Sequence, residues 1–276
     1  MTREIKKLNG NDFFNALVSG ITNIISTHEH LNKINVFPVP DGDTGTNLLF
    51  TLRPIIQIDE CNIDSHFGKT LMLIANTAID SARGNSGTIM AQYFIGMAEN
   101  AEDWEELNTN DISKLLKDGF EAAYSAMAEP AEGTIITVMR DVSNALAKND
   151  NNEADLVIIF KTMFDVAKKS LENTPELMKL LKESGVVDAG AEGYVNMIEG
   201  MLYYIEHQKI MNEDIVSNLE IQKSVEVNYY SDESIEKLAW LFSGESKNGQ
   251  EGIQQSWKKL NKLINSSGYG LKINRP

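Results

Sequence analysis

Apolar residues recur at helical spacing along nearly the whole of residues 11–207, and this periodicity points to an all-helical fold. Residues 11–28 set Phe13, Phe14, Leu17, Val18, Ile21, Ile24 and Ile25 on one stripe, with Asn11 or Asp12 placed to cap its start. The spacing predicts further helices over 69–82, 87–99, 111–128 and 133–148. After the polar linker Lys148-Asn149-Asp150-Asn151-Asn152, it predicts helices over 153–172, 175–183 and 190–207. The run Leu156–Phe160 could pass for a strand, but its flanks continue a helical pattern through Met163, Phe164 and Ala167. The six prolines of the chain avoid these helices beyond a first turn. Short loops between such helices imply a bundle with antiparallel neighbours.

Strand signals are nearly absent before residue 210. Beyond it the character changes. Residues 208–230 are mixed, and Ser224–Tyr230 alternates like a strand. Residues 231–242 and 250–265 read as two amphipathic helices around a breaker at 243–249. The expected organisation is a helical domain over 1–209. Residues 210–276 follow as a C-terminal extension or the start of a further domain.

Composition removes several functions. The 276 residues carry a formal net charge of -15, and Lys and Arg are scattered. A duplex-binding surface draws its affinity from clustered cations facing phosphates, so a nucleic-acid partner is not expected. The single cysteine, Cys61, excludes an intramolecular disulfide and a cysteine-built zinc site. No apolar run approaches ~18 residues, and residues 1–7 lack the apolar core of a signal peptide. A cytoplasmic protein without a membrane span is expected.

The segment Asn35-Val36-Phe37-Pro38-Val39-Pro40-Asp41-Gly42-Asp43-Thr44-Gly45-Thr46-Asn47 carries the clearest chemistry. Two carboxylates sit one residue apart in a loop that leads into a helix. Hard carboxylate oxygens suit Mg²⁺, which usually keeps several waters and adds substrate phosphates. The N–H groups of Gly42, Gly45 and their neighbours, ahead of a helix N-terminus, suit an anion. The plain alternative is a tight Asp-Gly turn. An EF-hand fails because its fifth and twelfth loop positions are Gly45 and Leu52. An aspartyl nucleophile would need Asp41 at the end of a buried strand, against which Pro38 and Pro40 argue.

Three more loops of similar character open helices: Arg83-Gly84-Asn85-Ser86-Gly87-Thr88, Glu129-Pro130-Ala131-Glu132-Gly133-Thr134, and Val186-Val187-Asp188-Ala189-Gly190-Ala191-Glu192-Gly193. Each alone is a capped turn, with Asp188 an N-cap candidate. In an antiparallel bundle alternate loops share an end, so several can meet one ligand. Spacing alone does not show that they do. His28 and His30 read as surface histidines, and Met72, Met90, Met97 and Met127 as core fillers.

Together the four loops resemble the nucleotide-binding domain of dihydroxyacetone kinases, the DhaL-like family. The nearest likeness is to the N-terminal kinase domain of the fatty acid kinase A subunit. The matching words are the 35–47 segment, Ala82-Arg-Gly-Asn-Ser-Gly87, Glu132-Gly-Thr134 and Gly185-Val-Val-Asp-Ala-Gly190, over about residues 8–206. The resemblance implies a barrel of about eight antiparallel amphipathic helices with ATP at one end. It implies that Asp41 and Asp43 hold two Mg²⁺ ions, and that Thr44, Gly45, Thr46 and Asn47 bind phosphate oxygens or complete the metal shell. Asn85, Ser86 and Gly87 would bind phosphates from the opposite side. Gly133 and Thr134 would lie along the nucleotide, and Asp188, Ala189 and Gly190 would close over ribose and base.

The chain departs from the pattern in places. Val36 stands where dihydroxyacetone kinases have a third metal carboxylate, and Asn35 is the nearest oxygen ligand. Glu192 stands where this branch often has Lys. Residues 207–276 are too short for the further domains of a fatty acid kinase, so a fragment, a stand-alone kinase domain or half of a split system is expected. The leading expectation is phosphoryl transfer from ATP, by a kinase with Asp41 and Asp43 in catalysis, to an acceptor on a partner. The favoured partner is a DegV-type fatty-acid-binding protein or fused domain, and self-association as a homodimer is left open. The alternatives are glycerone phosphorylation, a non-catalytic nucleotide-binding regulatory module and, more weakly, a phosphatase.

Overall fold

The computed structural model describes residues 5–147 and 155–219. The strand expected at 224–230, the helices expected at 231–242 and 250–265, and the linker at 148–152 lie outside these residues.

Among the described residues eight helices of 13 to 25 residues dominate: α1 (Gly10–Ile34), α2 (Thr44–Ile56), α3 (Phe67–Asp80), α4 (Gly84–Glu99), α5 (Ile112–Ser125), α6 (Ile135–Ala147), α7 (Leu156–Glu172) and α10 (Ala189–His207). Two short helices, α8 (Thr174–Leu177) and α9 (Lys179–Ser184), precede α10. Packing runs α1–α2–α4–α5–α6–α7–α10 and back to α1, with α3 lying on α1, α2 and α4. The apolar faces thus close on one another into an all-α barrel. The core includes Leu17, Ile21, Leu52, Phe67, Phe94 and Ile198. At the α1–α10 crossing, a Cβ on Gly20 would stand 2.6 Å from the Met197 carbonyl oxygen, so the glycine lets two backbones meet.

The connections α1–α2, α3–α4, α5–α6 and α7–α10 gather at one end of the barrel. A two-residue ribbon pairs β1 (Lys7–Leu8) with β2 (Leu107–Asn108), antiparallel. It is a small departure from a chain without strands before residue 210.

Several boundaries differ from the sequence reading. Helix α1 begins at Gly10, because Asn9 and not Asn11 or Asp12 is the cap: its side chain accepts the Asp12 N–H at 2.9 Å. It also runs on to Ile34, since fully buried Leu31 continues the apolar stripe. Pro54 does fall inside a helix, in the last turn of α2; the missing N–H there is tolerated because the helix ends at Ile56. The helix expected at 175–183 is broken at Met178, whose extended backbone (φ -127°) sets it against Gly133. Beyond α10, Ser19 accepts the Met211 N–H at 3.0 Å, and Thr22 donates to the Met211 carbonyl.

Candidate functional site

The gathered end of the barrel holds a cleft of ≈ 330 Å³, within the range of small-molecule sites. Four helices present their N-termini to it: α2 through Thr44, α4 through Asn85, Ser86, Thr88 and Ile89, α6 through Thr134 and Ile135, and α10 through Asp188 and Gly190. Phe37, Pro38 and the 126–131 connection complete the wall. No Lys or Arg is among the lining residues. Positive potential in the cleft therefore comes from the helix dipoles.

The loop ahead of α2 is built on Asn35. This buried side chain accepts the N–H groups of Asp43 at 3.1 Å and Thr44 at 3.2 Å, and donates to the Phe37 and Val39 carbonyls. The carboxamide oxygen has two acceptor positions, and both are taken. Asn32 reinforces the turn from α1, exchanging two hydrogen bonds with Thr46: N–H to Asn32 Oδ1 at 3.0 Å, and Asn32 Nδ2 to the hydroxyl at 2.9 Å. Gly45 presses on α1, where a Cβ would stand 2.0 Å from the His28 carbonyl oxygen. Gly42 turns the chain at φ +67°, a conformation suited to glycine.

Asp41 and Asp43 flank that turn, both exposed, and neither pairs with a cation among the described residues. Asp43 immediately precedes α2 but its side chain caps nothing. Two hard, uncommitted carboxylates fit Mg²⁺. Among the described residues no set of three acidic, His or Cys side chains gathers. An ion held here would draw the rest of its shell from water and ligand oxygens, as Mg²⁺ does.

Helix α4 begins at Gly84, three residues earlier than the spacing predicts, so Asn85, Ser86 and Gly87 form its first turn. Its N-cap residue Arg83 makes no side-chain cap. Without a side-chain cap the N–H groups of this turn stay open to an anion, and Asn85 and Ser86 of the turn line the cleft.

Asp188 joins the other two helices. One oxygen, Oδ1, accepts the Ala191 N–H at 2.8 Å, capping α10, and the Ile135 N–H at 3.0 Å at the start of α6. The carboxyl is buried, and that burial pushes its pKa up to about 6, although the N–H donors pull it down. The neighbouring 131–134 turn is held by Thr137, which accepts the Gly133 N–H at 2.9 Å and donates to Glu132. The Arg140 guanidinium beside Glu132 holds that carboxyl below the usual range.

Of the residues singled out from sequence, Thr44, Asn85, Ser86, Thr134, Asp188 and Gly190 line one cleft. Asp41 and Asp43 stand within three residues of Thr44. Asn35, Gly45, Thr46, Asn47, Gly87, Gly133 and Ala189 are not part of the wall; most of them pack or bond the loops together. Met127 lines the cleft as well as touching the core, because α5 stops at Ser125. The wall at 126–128 escaped the sequence reading, which ran that helix through to 128. Glu192 is absent from the wall and pairs with exposed His30 on α1 at 2.9 Å. No described helix is long and apolar enough to cross a membrane.

A profile of the DAK2 domain matches residues 38–203. Uncharacterized proteins of Staphylococcus aureus, from its bovine strain and strain COL, are 36% identical over 206 residues, covering 75% of this chain and 38% of each relative. The chain thus spans well under half the length of the curated relatives it matches. The crystal structure of the dihydroxyacetone kinase from C. freundii in complex with AMP-PNP and Mg²⁺ is similar in fold, with a TM-score of 0.55 at 19% identity over 73% of this chain and 35% of that one. The native form of that kinase gives 0.54 at 20% identity, over 74% and 36%. The closed ring of seven long helices, with α3 packed against it, agrees with this likeness, and by the profile match the chain belongs to the DAK2 domain family.

Proposed function

We propose that this chain is an ATP- and Mg²⁺-dependent kinase domain that phosphorylates an acceptor presented by a partner protein or domain. The observation that carries the reading is the convergence of four helix N-termini on one cleft without Lys or Arg, beside two unpaired carboxylates. A polyphosphate in such a cleft needs its charge met by helix termini and by metal ions together. The similarity to a kinase crystallised with AMP-PNP and Mg²⁺ supports the same reading.

Asp41 and Asp43 would hold Mg²⁺, and Asn35 would keep their loop in shape. The Asn35 oxygen reaches an ion only by releasing the N–H of Asp43 or Thr44. The Thr44 hydroxyl and the first turn of α4, with Asn85 and Ser86, would take phosphate oxygens. Thr134, Asp188 and Gly190, with the apolar wall of Phe37, Ile89, Met127 and Ile135, would flank the nucleoside. Bound Mg²⁺ would supply positive charge to the transferring phosphoryl group. Phosphoryl transfer depends chiefly on positioning and charge, so the chain needs no covalent nucleophile.

The favoured acceptor is the carboxylate of a fatty acid held by a DegV-type binding protein. Its oxygen would bond the γ-phosphorus as the bond to the bridging β–γ oxygen breaks, yielding acyl phosphate and ADP. Titration calorimetry tests the site: AMP-PNP binding is expected only with Mg²⁺, and to be lost in Asp41→Ala and Asp43→Ala. Unchanged binding in those variants overturns the site assignment. Incubation with ATP, a fatty acid and a DegV-type protein tests the acceptor, and absence of ADP and acyl phosphate overturns that part.

A further inference from the structure

The two loops expected to meet the phosphates belong to different helices, and a single buried hydroxyl joins them. Thr51 lies on α2, fully buried and outside the cleft wall. Its hydroxyl donates to the Asn47 carbonyl at 2.7 Å, one turn back on the same helix. That bond fixes the hydroxyl rotor and leaves its oxygen lone pairs facing α4. There Oγ1 accepts the N–H of Arg83, the N-cap residue of α4, at 3.1 Å. The Arg83 guanidinium lies over the Phe50 ring, 4.6 Å from its centroid, so adjacent residues of α2 hold both the backbone and the side chain of Arg83.

The fit around the hydroxyl is tight. A Cβ on Gly87 would stand 2.2 Å from Thr51 Oγ1, and a Cβ on Gly84 2.2 Å from Asn47 Nδ2. The first turn of α4 is therefore seated directly on the turn of α2 that follows the two carboxylates. A sideways shift of α4 must break the Arg83–Thr51 bond and leave a buried hydroxyl half-satisfied.

We infer that Thr51 is a positioning residue: it sets the anion-facing end of α4 against the Asp41–Asp43 loop, without touching nucleotide. This rests on the proposed function above, since the two ends matter together only if one polyphosphate spans them. Small displacements of groups that clamp a reacting ligand are costly, which gives a remote hydroxyl leverage over binding.

The test compares Thr51→Val, which keeps shape and removes the hydroxyl, with Thr51→Ser, which keeps the hydroxyl. Amide exchange at Arg83 is read in the ligand-free protein, and AMP-PNP affinity with Mg²⁺ by calorimetry, with thermal melting as the folding control. Thr51→Val is expected to speed exchange at Arg83 and to weaken AMP-PNP binding by about tenfold, the effect of one lost hydrogen bond. Thr51→Ser should stay near the unsubstituted protein in both. If Thr51→Val does not fold, Thr51→Ala, which leaves space for a water, carries the same expectation. Unsubstituted protein that binds, with Thr51→Val binding equally well, overturns the inference alone. Unsubstituted protein that binds no nucleotide overturns the proposed function, and the positioning role with it.

Discussion

The buried carboxylate of Asp188 accepts the backbone N–H of Ile135 at 3.0 Å, tying the start of α6 to a residue 53 positions later. The same oxygen caps α10 through Ala191 at 2.8 Å. One side chain therefore sets the angle between two of the four helix ends that build the cleft. Asp188→Ala strands two buried N–H groups, at about 1–3 kcal/mol each, so a loss of about 2–6 kcal/mol is expected in denaturant titration.

The same carboxyl makes a pH prediction. Its folded pKa of about 6 lies above the ordinary 3.8, because burial penalises the charge. A raised folded pKa means that the folded state holds the proton more tightly. The resulting stabilisation is complete below about 3.8 and is lost as pH rises through about 6, with a size on the order of 3 kcal/mol. Asp188→Asn keeps an acceptor oxygen and cannot ionise. The stability difference between Asp188→Asn and the unsubstituted protein should therefore shift in favour of the variant between pH 4 and 6, then level off. A flat difference across that window would contradict the assignment.

Tyr93 and Tyr194 meet in the core, hydroxyl to hydroxyl at 2.9 Å, with both rings buried. Burial raises the pKa of each. Replacing either by Phe leaves the other hydroxyl without its partner, at about 1–3 kcal/mol. Replacing both removes the polar pair together, so the double variant should lose clearly less than the sum of the singles. A double-mutant cycle by chemical denaturation reads this coupling.

Gly45 has no room for a side chain, since a Cβ would meet the His28 carbonyl oxygen at 2.0 Å. Gly45→Ala must push α2 away from α1 and disturb the Asn32–Thr46 pair. A loss of about 1–3 kcal/mol is expected, with weaker AMP-PNP binding in the same variant. Melting curves and calorimetry together check it.

Asp41 and Asp43 should behave in the opposite way. Both are exposed and carry no ion pair or cap among the described residues. Asp41→Asn and Asp43→Asn are expected to leave the melting temperature within about 2 °C, as surface substitutions do, while removing Mg²⁺-dependent nucleotide binding. A large melting shift would show that the carboxylates serve the fold.

Sequence alone determined most helices of the barrel, because a three- and four-residue apolar rhythm leaves the chain one way to bury its stripes; α2 was legible only as a helix entered from the 35–47 loop. It also marked the four helix-opening loops, since Gly, Asp, Ser and Thr are the residues that turn and cap a chain. It could not decide what those residues do. Asn35 resembled a metal ligand by position, yet tertiary folding turned its oxygen onto the N–H groups of Asp43 and Thr44. Asp188 read as a cap of one helix and proved to cap two, because the second donor, Ile135, reaches it only across the closed barrel. Thr51 gave no signal at all, being an ordinary threonine inside a helix until α4 lies on it. Hydrogen bonds between residues far apart in the chain depend on the distance between packed helices, and no local pattern encodes that distance.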